Sequence, residues 1–211
     1  MKRYVVLISG RGSNMLSLLD AHLPGECAAV ISNRPDAAGL QLAKARGIAC
    51  VTIDHRQFPS REEFDAALAQ EIDRYSPDLV LLAGFMRILT DSFVRRFAGR
   101  LLNIHPSLLP SFPGVRTHEQ ALAAGVRVHG ATVHFVTPAL DGGPIVAQAA
   151  VPVHPSDDAA HLAQRVLAEE HLLYPRVARW FLEGRLHFED GRGKLEDEIP
   201  FESALHVPAP D

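Results

Sequence analysis

Tyr4-Val5-Val6-Leu7-Ile8-Ser9-Gly10-Arg11-Gly12-Ser13-Asn14 is the stretch on which the fold turns. Its first five residues form a continuous apolar, partly β-branched run, the pattern of a parallel strand buried on both faces. Two glycines follow, and then Met15, Leu16, Leu18 and Leu19 fall on one side of a helix. The unit is strand, glycine loop, helix. It is close to a dinucleotide-binding fingerprint, except that Met15 stands where a third glycine or an alanine is needed. The loop still offers backbone N–H groups and a helix N-terminus to an anion, and a single phosphate fits better than a pyrophosphate. An ordinary tight turn between strand and helix accounts for the loop equally well.

Working outward, Ala28 to Ser32 reads as a second strand, and Asp36 is expected to cap a helix running to Arg46 and closed by Gly47. Ile48 to Ile53 is a third strand. Ser60, with Glu63 three residues on, makes a capping box for a helix to about Tyr75, which Pro77-Asp78 breaks. Leu79 to Ala83 is a fourth strand, Asp91 to Phe97 a short helix, and Leu101 to Ile104 a fifth strand. Strands alternating with helices at this spacing predict a parallel sheet with helices on both faces. Thr117 is then expected to cap a short helix ending at Gly125. Val128 to Val136 and Ile145 to Val153 are long strands, and a long helix spans about Ser156 to Glu183, ended by Gly184. Leu186 to Glu189 and Lys194 to Ile199 read as a hairpin, and the last residues as frayed. The expected fold is α/β: one Rossmann-like, mostly parallel twisted sheet with helices on both faces, a long C-terminal helix and a small hairpin.

At 211 residues the chain can bury a substantial core, and 47% apolar with 22% charged residues is ordinary globular composition. A net charge of −4 argues against nucleic acid as a partner. Cys27 and Cys50 read as free thiols in a reducing compartment. Met1 to Ser9 is too short for a secretory or membrane segment, so a cytoplasmic location with no membrane partner is expected. The eleven histidines show no HExxH spacing and no cluster with cysteine, so no metal is expected; most are read as surface or strand-face residues.

Chemistry gathers in Asn103-Ile104-His105-Pro106-Ser107-Leu108-Leu109-Pro110-Ser111-Phe112-Pro113-Gly114 and in Leu140-Asp141-Gly142-Gly143-Pro144. An amide and an imidazole two residues apart at a strand end share one side of the chain. Three prolines within eight positions then stiffen the loop, and Leu109-Pro110 is a candidate cis peptide. Asp141 supplies a carboxylate, although Asp-Gly-Gly-Pro is also plain turn composition. Amide, imidazole and carboxylate together point to acyl-group transfer. No serine sits in a nucleophile elbow and neither cysteine neighbours a histidine, which favours direct transfer over a covalent acyl-enzyme. Leu81 to Leu89 is apolar on both sides of Gly84, at the strand end where open α/β sheets bind ligands. With Arg87 it suits a flat heteroaromatic ligand bearing carboxylates, while Leu81, Phe85 and Leu89 read more simply as core.

These motifs, Ile8 to Asn14, Leu82 to Leu89, Asn103 to Pro110, and Val133 to Val136 with Leu140 to Pro144, occur in order. The chain so resembles the folate-dependent formyltransferase family, and within it the phosphoribosylglycinamide formyltransferases, over nearly its whole length to about Gly184. The His-Pro-Ser-Leu-Leu-Pro loop and the downstream Asp belong to the wider family, while the Gly-x-Gly-Ser-Asn loop and the chain length narrow the match. The resemblance implies one domain over 1–211, with a nucleotide- and phosphate-binding half (1–100) and a folate-binding and catalytic half (101–211). It implies formyl transfer from 10-formyltetrahydrofolate, a co-substrate, to the amine of glycinamide ribonucleotide, in a monomer or homodimer.

Residue by residue, Asn103, His105 and Asp141 match the family's catalytic trio. Arg11, Gly12, Ser13 and Asn14 match the phosphate site, and Glu170 lies near the amine end. Arg61, Met86, Arg87, Ile88 and Leu89 match the folate site, completed by Asn103, His134, Thr137, Leu140 and Asp141. Arg116 is a departure, since some relatives have histidine there. A formyltransferase for another amine, such as a nucleotide sugar, and an inert nucleotide-binding module are the alternatives. The three polar groups standing together count against the second.

Overall fold

The computed structural model describes residues 1–199 and Val207; the end of the chain, expected from its sequence to be frayed, lies otherwise outside them. The elements run β1 (Arg3–Ile8), α1 (Ser13–Asp20), β2 (Glu26–Ser32), α2 (Ala38–Lys44), β3 (Cys50–Thr52), α3 (Arg61–Arg74), β4 (Leu79–Leu82) and α4 (Asp91–Arg96). They continue with β5 (Leu101–His105), α5 (Thr117–Ala124), β6 (Val128–Phe135), β7 (Ile145–Pro152), α6 (Ala159–Glu183), β8 (Leu186–Glu189) and β9 (Arg192–Leu195).

Seven strands form one sheet in the order β3-β2-β1-β4-β5-β6-β7, and β8 and β9 form a separate hairpin. The first five strands in that order are parallel. β6 and β7 return antiparallel, which gives the change of character expected after Gly125. Because β1 steps outward to β2 and β3 before the chain comes back to β4, the order reverses between β1 and β4. The carboxyl ends of strands at such a reversal open a crevice, the usual ligand position in open α/β sheets.

Strand alternation divides the core in two. Val6 and Ile8 of β1 join Met15, Leu18, Leu81, Leu102, Val166 and Tyr174 on one face. Val5 and Leu7 face the other way, onto Phe64, Leu68, Ile72, Phe93 and Phe97. The stripe Leu162, Val166, Leu173, Tyr174 and Val177 buries one side of α6 over the sheet, although Pro175 lies inside the helix. The Tyr174 hydroxyl, wholly buried, is 3.0 Å from both the Leu82 and the Leu102 carbonyl oxygens and so ties the ends of β4 and β5 together.

Several boundaries differ from the sequence reading. Asp36 does not cap α2: its carboxylate is paired with Arg34, and Ala37 occupies the cap position with no side-chain bond. Thr117 is the first residue of α5 rather than its cap, because its hydroxyl donates to the Pro106 carbonyl at 2.7 Å. Arg116 takes the cap position in a left-handed conformation and pairs with Glu119. α6 starts after Asp158, whose side chain accepts from His161 N. β3 is shorter than expected, and β9 begins at Arg192 because Asp190 and Gly191, at φ 50° and 71°, close a two-residue hairpin turn. Ser60 accepts from Glu63 N as expected, and the Leu109–Pro110 bond is cis. Both cysteines are free. Among the described residues no helix is long and apolar enough to cross a membrane.

Candidate active site

Asn103 and His105 point the same way from the last turns of pleat in β5, and the neighbouring antiparallel strand brings His134 opposite Asn103 and Thr132 opposite His105. The Asn103 amide nitrogen lies 3.2 Å from His134 Nε2. His134 Nδ1 is 3.0 Å from the Phe135 carbonyl oxygen, which accepts only, so Nδ1 carries the ring proton and Nε2 accepts from Asn103. Burial is the main cause that pushes the His134 pKa down, which favours that neutral ring. One amide hydrogen of Asn103 is thereby engaged, and its other remains for a ligand oxygen.

His105, 4% exposed, places Nε2 3.0 Å from the Phe112 carbonyl oxygen and turns Nδ1 toward Asp141, 3.6 Å from its Oδ2. Asp141 reaches in from the loop after β6 in a left-handed conformation, φ 49°. That loop is fastened by close approach: a side chain on Gly143 would meet the Phe135 carbonyl oxygen at 1.8 Å, so only glycine fits. Asp141 Oδ2 also accepts from Gly114 N at 2.8 Å, which joins the two loops across the site.

The proline loop is held from below. The Thr132 hydroxyl donates to the Ser107 carbonyl at 2.7 Å and accepts from Leu109 N at 3.0 Å. Gln148 donates to both the Leu109 carbonyl and the Thr132 hydroxyl at 2.9 Å. These bonds tie the loop to β6 and β7, and His105 cannot drift without breaking them.

A second polar group borders the trio. Asn14 Nδ2 donates to Glu170 Oε2 at 2.6 Å inside the molecule, while Asn14 Oδ1 is buried without a partner. Burial is the main cause that raises the Glu170 pKa; the Asn14 bond and the charge of His105 oppose it. Gly12, at φ 80°, precedes α1 with no side-chain cap, leaving the first N–H groups of the helix directed at the crevice. Amide, imidazole and carboxylate meeting at the end of β5, with an uncapped helix start nearby, are the groups that acyl transfer to an anionic substrate would need.

Residues 2–178 match the family described as formyl transferase. The chain belongs to that family. Phosphoribosylglycinamide formyltransferase of Escherichia coli (strain K12) is 50% identical over 198 residues, which cover 92% of this chain and 93% of that protein. The human trifunctional purine biosynthetic protein adenosine-3 is 45% identical over 195 residues, 90% of this chain and 19% of that longer protein. A crystal structure of glycinamide ribonucleotide transformylase 1 from Symbiobacterium toebii matches with a TM-score of 0.90 at 49% identity, covering 93% of this chain and 95% of that one.

In this formyl transferase the remaining residues singled out from the sequence fall into separate groups. Ser13 opens α1, and Arg11 is exposed just before it. Met86 (74% exposed), Ile88 (59%) and Leu140 (60%) are exposed apolar side chains, while Leu89 is partly buried against the second core and Thr137 is half-buried beside Gly143. Arg87 stacks on Phe64 at 5.6 Å with its Nε buried and unpartnered. Arg61, at the start of α3, and Arg87 both act on the carboxyl of Asp65. Among the described residues no group of three or more His, Cys, Asp or Glu side chains is placed to hold a metal ion.

Among the described residues most histidines are exposed or half-buried, or lie on a strand face, as read from the sequence. His105 is buried at the end of β5, and His129 and His134 are buried because β6 is covered on both faces over seven consecutive residues. Sequence reasoning also passed over the Phe112 carbonyl and Gly114 amide. Backbone groups carry no residue-type signature, and only the proline-stiffened loop signalled them.

Proposed function

We infer that this protein transfers the formyl group of 10-formyltetrahydrofolate to the amine of glycinamide ribonucleotide. The products are formylglycinamide ribonucleotide and tetrahydrofolate, a step of de novo purine biosynthesis. The observation that carries the site assignment is the convergence of Asn103, His105 and Asp141, with His105 Nδ1 facing Asp141 Oδ2 at 3.6 Å. We read the chain as one domain whose first hundred residues serve the nucleotide and whose remainder serves the folate. A cytoplasmic monomer or homodimer is the form we propose.

The substrate phosphate sits at the Arg11–Asn14 loop, on the N–H groups that start α1. Its amine lies toward Glu170, whose carboxyl accepts an amine hydrogen. The pterin occupies the crevice lined by Met86 to Leu89 and the Thr137 to Asp141 loop, held mainly by backbone groups. The exposed apolar side chains of Met86, Ile88 and Leu140 suit that ring system, and the folate carboxylates run toward Arg61.

The uncharged amine attacks the formyl carbon, forming a C–N bond as the carbonyl π electrons move to oxygen. The free amide hydrogen of Asn103 meets that oxyanion, an interaction worth roughly 2.7–4 kcal/mol in comparable sites. Because Nε2 of His105 is committed to the Phe112 carbonyl, Nδ1 is the nitrogen that exchanges a proton with the reacting groups. Collapse of the intermediate breaks the bond between the formyl carbon and the folate nitrogen, which leaves protonated as tetrahydrofolate. Asp141 stabilises the imidazolium and aligns the water through which protons pass.

Release of tetrahydrofolate, followed with each substrate alone and with both together, tests this reading. Turnover that needs both, and heat protection by glycinamide ribonucleotide but not by amino-sugar nucleotides, is expected. Release without the amine would mean hydrolysis and overturn it.

A further inference from the structure

We propose that Ser9 is a positioning residue that couples the two substrate loops, so that occupation of the phosphate loop tightens the grip on folate. The proposal rests on the function inferred above. Ser9 is the first residue past β1, at the point where strand order reverses, and only 6% of it is exposed. Its N–H donates to the Gly84 carbonyl at 3.1 Å, and its hydroxyl accepts from Met86 N–H at 2.7 Å. The single hydroxyl proton goes to Asn33 Oδ1 at 2.6 Å, leaving the lone pairs for Met86. Asn33 is steadied in turn, its backbone carbonyl lying 2.9 Å from His55 Nδ1.

Two features make this hydroxyl more than filler. The Met86 side chain is 74% exposed and cannot anchor its own loop by packing. Gly84, at φ 75° with open space where a side chain would be, adds no stiffness either. Phe85 packs into the second core and Arg87 lies over Phe64, but at Met86 itself the backbone offered to the pterin is held by Ser9. On its other side Ser9 is bonded to Gly10, whose carbonyl accepts from Gly39 N at 3.0 Å, and Gly12 packs against Gly39 as well. The glycine loop is thus a braced unit, and a shift that phosphate imposes on it passes through Ser9 to Met86.

The test is calorimetric titration of tetrahydrofolate with and without saturating glycinamide ribonucleotide, a pair that binds without reacting. Wild type is expected to bind tetrahydrofolate at least about fivefold tighter when the ribonucleotide is present, the lower end of ordinary coupling. Ser9→Ala should bring that ratio to within about twofold of unity. A merely structural serine would weaken either ligand without changing the ratio, so an unchanged ratio in Ser9→Ala, or a ratio of one in wild type, overturns the proposal. Should Ser9→Ala not fold, hydrogen exchange at the Met86 amide of wild type decides: the ribonucleotide alone should slow it several-fold, and an unchanged rate overturns the coupling. Failure of wild type to bind either ligand would instead overturn the function on which it rests.

Discussion

His105 presents Nδ1 to the Asp141 carboxylate at 3.6 Å while its opposite nitrogen is locked to the Phe112 carbonyl at 3.0 Å. The ring can therefore neither flip nor exchange roles between its nitrogens without losing a contact. A proton arriving at Nδ1 meets a fixed negative charge, and Gly114 N–H fixes that carboxylate in turn at 2.8 Å.

In the proposed mechanism Asn103→Ala removes the donor to the oxyanion, and little of either substrate's binding contact. Its kcat should fall roughly 10²- to 10³-fold, with KM for each substrate changed only a few-fold. Steady-state kinetics at saturating substrate would show this, and near-normal turnover would sink the assigned role.

His134 accepts one hydrogen of the Asn103 amide, and in the proposed mechanism it acts on the reaction only through Asn103. His134→Phe keeps a ring but loses the acceptor, and kcat is expected to drop about tenfold. The double variant with Asn103→Ala should be no slower than Asn103→Ala alone, because the two side chains work as one unit. Multiplicative losses would mean that His134 contributes independently.

The strands of this fold were legible because parallel strands covered on both sides are unbroken apolar runs, as in Tyr4 to Ile8 and Leu79 to Ala83. Asn103, His105 and Asp141 were legible because polar side chains at a strand end and in a proline-stiffened loop have little else to do. Caps were less so. Asp36 and Thr117 have the right side chains, but Arg34 and the Pro106 carbonyl claim them first. The burial of His129 was not legible, because alternation signals burial only when one face of a strand is wet, and seven consecutive residues of β6 are buried. Ser9 was hidden in a motif whose glycines drew the attention.

His129 is fully buried, neither of its ring nitrogens has a hydrogen-bond partner, and burial pushes its pKa down to about 4. The unfolded chain binds a proton there below about 6.5 and the native protein does not until about 4, so stability falls as pH drops through that window. The difference corresponds to about 3 kcal/mol at most. His129→Leu should flatten the urea-midpoint profile between those pH values; an equally steep profile would show that the pH dependence arises at other groups.

Glu170 has a raised pKa because burial disfavours its charge. The native state then holds a proton that the unfolded chain releases, so the group favours folding at low pH and that stability is lost as pH rises through the raised value. Glu170→Gln should therefore melt above wild type at about pH 8, with the gap closing as pH falls. Its catalytic rate should fall, since the charged acceptor for the amine is gone. A variant less stable than wild type at pH 8 would show that Asn14 contributes more than burial costs.

The most direct measurement is tetrahydrofolate release from Asp141→Asn with both substrates saturating. The replacement keeps the shape and the contact to Gly114 N–H but removes the charge facing His105. Turnover should fall by at least about 10²-fold with both substrates still bound, if the Asp141 charge holds the His105 imidazolium during transfer. Turnover within a few-fold of wild type would contradict that role.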